Sequence, residues 1–261
     1  MSTAMGLTDG ERWMREELAA LRERRFAPAA LARFLCASQA RANDVRAARP
    51  ELARQAWSWN ALGALAILAG DRRRARGRLA WWAACALMLD WHLGMAETLD
   101  GRPRPLGAAD ALTLARAWLV PFAWQRPTAL ACAVAGLTDA LDGPLARRAE
   151  PTRGGRDFDS IIDACFAAAA LRGALRHAQL DRHATGAEAA WLAIGVLHSL
   201  HGYFLELRTP GRPIAGPARV LAPLRMTGLA CAAGGRRRVG SALLAGGALA
   251  SIALAAAGTR R

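Results

Sequence analysis

The sequence predicts an all-α, polytopic integral membrane fold, on three observations. The chain of 261 residues is 53% hydrophobic yet carries a formal charge of +14, with a mean hydropathy of +0.10. Apolar stretches recur and alternate with arginine-bearing joints, so charge and apolar surface are segregated along the chain. No strand-like alternation persists anywhere. An apolar fraction this large excludes a disordered tail. Positive charge spread through many joints, rather than gathered in a stripe, excludes a nucleic-acid-binding domain. All 35 cationic side chains are arginines, so a site that needs a permanent cation must use arginine.

The first segment, residues 1–54, reads as short amphipathic, basic helices. Glu11, Arg12, Arg15, Glu16 and Glu17 fall where the apolar region of a signal peptide would sit, so none is expected. Thr8-Asp9-Gly10-Glu11 is a capping-box pattern, with Met14, Leu18 and Leu21 following at helical spacing. Pro28 opens a second helix with Leu31, Phe34 and Leu35 on one face. Residues 55–106 form an apolar helix pair and a connector. Gln55–Gly70 is uncharged, Asp71–Arg78 interrupts, and Leu79–Ala96 is apolar apart from Asp90 and His92. From 107 to 261 the apolar runs are Leu112–Trp124, Pro127–Ala146, Ser160–Leu175, Ala189–Leu205, Ile214–Gly235 and Val239–Gly258. A span needs about 20 residues. Several runs are marginal alone, but their recurrence predicts six to eight membrane helices. Arginines at almost every joint give the positive-inside rule little to discriminate.

Charged groups inside apolar helices are expensive and mark function by default. Asp139 and Asp142 lie three apart near the end of one apolar run, and Asp159 and Asp163 lie four apart at the start of the next. Those spacings put each pair on one helix face. A hairpin joined by residues 147–158 would bring the pairs together. Four converging carboxylates cannot all stay ionised without cations, and carboxylate oxygens suit Mg²⁺ or Mn²⁺. Two such ions are the usual apparatus for in-line attack at phosphorus, so the pattern points to a phosphate-bearing substrate.

Written out, the region is Asp139-Ala-Leu-Asp142-Gly143-Pro-Leu-Ala146-Arg147, a seven-residue joint, then Gly155-Arg-Asp-Phe-Asp159-Ser-Ile-Ile-Asp163. It resembles the signature of the CDP-alcohol phosphatidyltransferase family, D-x2-D-G-x2-A-R-x8-G-x3-D-x3-D, with one residue fewer in the spacer after Arg147. Upstream, Asp110-Ala-Leu-Thr113-Leu-Ala-Arg116 is similar to the family's opening N-x-x-T-x-x-R helix, with Asp110 where Asn is usual. The resemblance covers residues 107–258 and implies a six-helix membrane catalytic domain over 107–261. It implies transfer of a phosphatidyl group from a CDP-alcohol, commonly CDP-diacylglycerol, to a small hydroxyl acceptor with release of CMP, in phospholipid synthesis. It further implies that Asp139, Asp142, Asp159 and Asp163 ligate two divalent ions, Mg²⁺ or Mn²⁺, with Asp163 also the general base. Thr113, Gly143, Ala146, Arg147, Thr152 and Gly155 would form the CDP-alcohol site. A homodimer is implied by the resemblance alone. Because a CDP donor is made inside the cell, the 147–158 joint is expected on the cytoplasmic side of a bacterial cell membrane.

Arg153, Arg208, Arg212 and Arg219, with Arg225, are candidates to bind an acceptor phosphate, or are positive-inside charge. Asp90 and His92 are expected to meet polar groups of a neighbouring helix or of the catalytic unit. His198 and His201, three apart, are expected to pack or to hydrogen-bond between helices rather than to bind metal. Tryptophans near segment ends read as interfacial anchors. The five scattered cysteines form no C-x-x-C pair and are read as packing residues. Two alternatives compete with the enzymatic reading. An Asp-rich intramembrane prenyltransferase keeps its two motifs far apart in the chain, whereas both lie within Asp139–Asp163 here. A non-catalytic membrane scaffold would have no need to keep all four aspartates.

Overall fold

The computed structural model describes residues 7–69, 75–98, 100–148, 153–207 and 220–258; within these, the side chains of 142–144, 146–148, 153–154 and 156–157 lie outside the description. The described chain is all-helical. In order come α1 (Asp9–Glu23), α2 (Pro28–Ala48), α3 (Pro50–Leu68), α4 (Ala75–His92), α5 (Ala108–Gln125), α6 (Ala129–Arg148), α7 (Arg153–Arg176), α8 (Arg182–Leu200), α9 (Ala222–Ala233) and α10 (Arg237–Gly258). A single antiparallel bridge, Glu97 to Pro103, is the only extended pairing among the described residues. The chain divides into two compact units, Met1–Trp118 with Asp142–Ser160, and Leu119–Leu141 with Ile161–Arg261.

In the first unit the capping box forms as expected. Thr8 Oγ1 accepts from the Glu11 backbone N–H at 3.3 Å, and Glu11 Oε2 accepts from the Thr8 N–H at 3.2 Å. Met14, Leu18 and Leu21 are buried. Pro28 occupies the first turn of α2, where its missing N–H costs nothing. The Leu31–Leu35 face of α2 points outward, and the buried positions are Ala30, Ser38 and Ala42. Asp90 of α4 is ion-paired with Arg46 of α2, which settles its partner. His92 instead lies against its own helix, with Nδ1 2.7 Å from the Met88 carbonyl.

Two tryptophans depart from the interfacial reading. Trp81 Nε1 donates to the Ala117 carbonyl at 2.8 Å, and Trp82 Nε1 to the Asn60 carbonyl at 2.8 Å. Both rings tie α4 to its neighbours, because an indole N–H inside a bundle must find an acceptor. Gln55 pairs with the Leu106 backbone in both directions, at 2.8 and 3.0 Å. These bonds fasten α3 to the residues just before α5, and α4 to α3 and to the middle of α5.

The second unit holds the C-terminal helices. Glycine permits two close approaches. A Cβ on Gly173 of α7 would run into the Ala123 carbonyl, and one on Gly240 of α10 would meet the Ala232 backbone of α9. Asp181 caps α8, accepting from the Ala184 N–H at 2.7 Å, and its own N–H donates to Ser241 Oγ at 3.1 Å. Trp191 is buried rather than interfacial.

Helix ends correct one expectation. The joint expected over 147–158 is largely helical: α6 runs to Arg148 and α7 begins at Arg153. Gly155 and Asp159 are therefore residues of α7 itself. Helices α3 to α8 are 18 to 24 residues long, about 27–36 Å at the α-helical rise. That matches a hydrocarbon core of about 30 Å. Among the described residues, however, only Arg237–Gly258 is both long and apolar enough to qualify as a span by composition. The other helices carry ionised residues, and several of those are turned inward. Their outward faces are apolar: Trp57, Leu62, Leu65 and Leu68 on α3, Leu130 and Leu137 on α6, Leu197 and Leu200 on α8.

Candidate active site

The site is built from the start of α5 and the first three turns of α7. Gly107 precedes α5, and its N–H donates to Asp110 Oδ2 at 2.7 Å. Asp110 thus closes the helix N-terminus from the third helical position, where a carboxylate also meets the positive end of the dipole. Thr113 and Arg116 follow at three-residue spacing, one above the other on the inner face, and both are buried.

Both reach Asp159 of α7. Thr113 Oγ1 donates to Asp159 Oδ1 at 3.1 Å and also lies 3.2 Å from the Ala109 carbonyl. One hydroxyl proton cannot serve both acceptors fully, so the threonine can exchange between them. Arg116 Nη1 donates to the same Oδ1 at 3.0 Å, its side chain 2% exposed against 29% for Asp159. An arginine that buried is tolerated only when paired. The pair fixes which way the carboxylate faces and concentrates the donors on one of its two oxygens.

The remaining candidates are placed unevenly. Asp139 on α6 and Asp163 on α7 are half-buried. Asp142, Gly143, Ala146 and Arg147 lie in the last turns of α6, Arg153 at the first position of α7 and Gly155 in its first turn. The side chains of Asp142, Ala146, Arg147 and Arg153 are outside the described residues, as are Thr152, Arg208, Arg212 and Arg219 altogether. Among the described residues no group of three His, Cys, Asp or Glu side chains forms a metal cluster, and the set of four aspartates includes the undescribed Asp142. As a donor set, carboxylate oxygens on consecutive helices suit a hard divalent ion. Asp159 in particular is held in orientation by two donors, as metal ligands usually are.

Two residues escaped the sequence reading. Arg116 stood in the motif without a role, although its three-residue spacing from Thr113 was the available signal. Glu188, just before the run taken to start at Ala189, is 2% exposed and accepts from Arg225 Nε with both oxygens at 3.0 Å. Arg225, read as an acceptor-phosphate ligand or positive-inside charge, has a protein partner in this structure. It is the counter-ion of Glu188, and it also lies 5.5 Å from the Trp191 ring centroid. His198 and His201 build no metal site among the described residues, and His201 Nδ1 lies 3.8 Å from Glu206. The cysteines are all free.

No curated protein and no solved structure matches the chain. A model of one family does match, over residues 106–253, more than half of the sequence and including every residue of the α5–α7 site. The aspartate signature, the α5 motif and this match agree, and the chain belongs to the CDP-alcohol phosphatidyltransferase family.

Proposed function

We propose that the chain is an integral membrane enzyme that transfers the phosphatidyl group of CDP-diacylglycerol to a small hydroxyl acceptor and releases CMP. The family supplies the reaction class, phosphotransfer from a CDP-alcohol in phospholipid synthesis. The observation that carries the reading onto this chain is Asp159, a carboxylate two turns into α7 held on one oxygen by Thr113 and Arg116. Among the described residues both donors fall on Oδ1, and in this reading the other oxygen goes to a ligand.

The family is generally divalent-metal dependent, and here Asp139, Asp142, Asp159 and Asp163 would hold Mg²⁺ or Mn²⁺, which would neutralise diphosphate charge in a way no side chain can. The rest falls to the protein. Thr113 and Arg116 keep Asp159 from rotating, so its second oxygen is presented without an ordering cost when substrate arrives. Gly143 carries no side chain where the nucleotide approaches. Arg147 and Thr152 bind the cytidine diphosphate, and Ala146 and Gly155 leave it room. The acceptor hydroxyl oxygen forms a bond to the lipid-bearing phosphorus. The bond from that phosphorus to the bridging oxygen breaks, and the bridging oxygen leaves with CMP. The hydroxyl proton passes to the Asp163 carboxylate as the new bond forms. Arg153, Arg208, Arg212 and Arg219 are the cations available to an acceptor that carries phosphate.

The test is CMP release from CDP-diacylglycerol by the purified protein with Mg²⁺ or Mn²⁺ and a panel of alcohols, with Asp163→Asn as control. Acceptor-dependent CMP that needs metal and disappears in the variant supports the proposal and names the acceptor. A folded protein that binds no CDP-alcohol under any of these conditions refutes it.

A further inference from the structure

Resting on the reading of the chain as a membrane protein, we propose that the α1–α2 hairpin is a foot that docks on an anionic lipid surface. The hairpin tip carries Arg22, Arg24 and Arg25 against a single acid, Glu23, all exposed. The next two turns, Pro28 to Cys36, stand clear of the fold except for buried Ala30 and half-buried Phe34. Leu31 and Leu35 are 42% and 45% exposed. From Arg24 to Asn43 the sequence contains no acid, and from Arg24 to Ala37 its only polar side chains are Arg24, Arg25 and Arg33.

The surface is therefore cationic at its tip and smooth and apolar beside it. Beyond Glu23 at the tip, the stretch to Ala37 has no amides, hydroxyls or acids with which to fix the register of a protein partner. A bilayer with anionic headgroups asks for no register. It rewards only buried apolar area and cations near the headgroups. The backbone adds an independent sign. Arg25 and Phe26 adopt successive left-handed conformations, φ 50° and 55°, where glycine would be the unstrained choice. Two side-chain-bearing residues kept in that conformation mark a turn retained for what it displays. Below the tip, Arg41 over the Trp13 ring at 4.8 Å ties α2 to α1, and the Arg46–Asp90 pair anchors the hairpin to α4.

The test uses the full chain in lipid nanodiscs of phosphatidylcholine, alone or mixed with phosphatidylglycerol. Leu31→Cys in a Cys36→Ser background reports the apolar face through its rate of labelling by a charged maleimide, with Cys36→Ser alone as the blank for the remaining thiols. Labelling is expected to slow about tenfold when phosphatidylglycerol is present. In Arg22→Gln/Arg24→Gln/Arg25→Gln the protection disappears, each arginine contributing about fivefold to docking. Equal rates in the two lipids overturn the proposal. Protection in both lipids that rises with the number of copies per disc also overturns it and makes a second copy the occupant. Alkaline carbonate separates the two readings. A chain it strips from vesicles fails as a membrane protein altogether, whereas a chain that stays but labels equally in both lipids fails only here.

Discussion

At the scale of single residues, two ion pairs face inward, Arg116 with Asp159 and Glu188 with Arg225, while the pairs near the N-terminus are exposed. Glu188 and Arg225 are 2% and 17% exposed, with the guanidinium on both carboxylate oxygens. Removing one member leaves the other charge buried and uncompensated. Glu188→Gln is therefore expected to destabilise the protein by about 3–5 kcal/mol, while Glu188→Leu with Arg225→Met, which removes both charges, is expected to recover most of the loss. Denaturant melts of the detergent-solubilised variants measure both, and a double variant no more stable than the single would refute the pairing as the cause. The same logic applies to Arg116 and Asp159, with a different purpose. A cycle of Arg116→Met and Asp159→Asn should show coupling of about 0.5–3 kcal/mol, because the two are in contact at 3.0 Å. The aspartates of α6 and α7 were legible because they interrupt apolar runs. Glu188 was not, because it adjoins its run where an acid looks like a solvated helix end, and only its partner 37 residues later in the chain reveals that it is buried.

At the scale of elements, capping and close approach decide where helices start and how tightly they pack. Accepting the Ala184 N–H holds the Asp181 carboxyl below its ordinary value. A depressed folded value means a contribution that is complete above the ordinary carboxylate range and lost as pH falls through the folded value. Asp181→Asn keeps a capping oxygen without the charge, so it should melt close to wild type at neutral pH and lose less on acidification. Melting temperature against pH for the two proteins reads this directly, and parallel curves would refute it. In α10, Gly240 and Gly246 should respond in opposite directions. A Cβ at Gly240 would collide with the Ala232 backbone, whereas one at Gly246 meets nothing within 4 Å. Gly246→Ala should stabilise by roughly 0.5–1 kcal/mol through helix propensity, and Gly240→Ala should destabilise by forcing α9 and α10 apart. Helix starts at Asp9 and Pro28 were readable because Thr8 and Pro28 act locally. The extent of α6 and α7 was not: glycines and arginines between 147 and 158 look like a loop, yet α6 runs to Arg148 and α7 begins at Arg153.

At the scale of the whole molecule, an apolar interior that also holds ionised and hydroxyl groups is combined with many leucines on the outside. Arg116, Glu188, Ser241 and Ser251 are buried, while Leu62, Leu65, Leu130, Leu197 and Leu249 are each more than half exposed. Water would penalise that arrangement, since large exposed apolar patches on soluble chains mark interaction surfaces. Hydrocarbon tails remove the penalty and leave inward polar groups to be satisfied within the bundle. A hydropathy count hides this, because it averages the two faces of one helix: Ser251 and Leu249 lie two residues apart on α10 and are 0% and 59% exposed. Leu249 supplies the decisive substitution. If that face meets water, Leu249→Arg removes an exposed apolar side chain, and solubility rises or is unchanged. If it meets lipid, a guanidinium enters the hydrocarbon near the middle of a helix, at a cost of about 2.5–3.5 kcal/mol on insertion scales. The expected result is a fall in the membrane-integrated fraction of Leu249→Arg, with Leu249→Phe unaffected, measured by carbonate-resistant recovery of the full chain. Arg237 and Arg238 open this helix and Leu249 lies nine residues before its last residue, Gly258, so an arginine there is far from either end and snorkelling relieves only part of its cost.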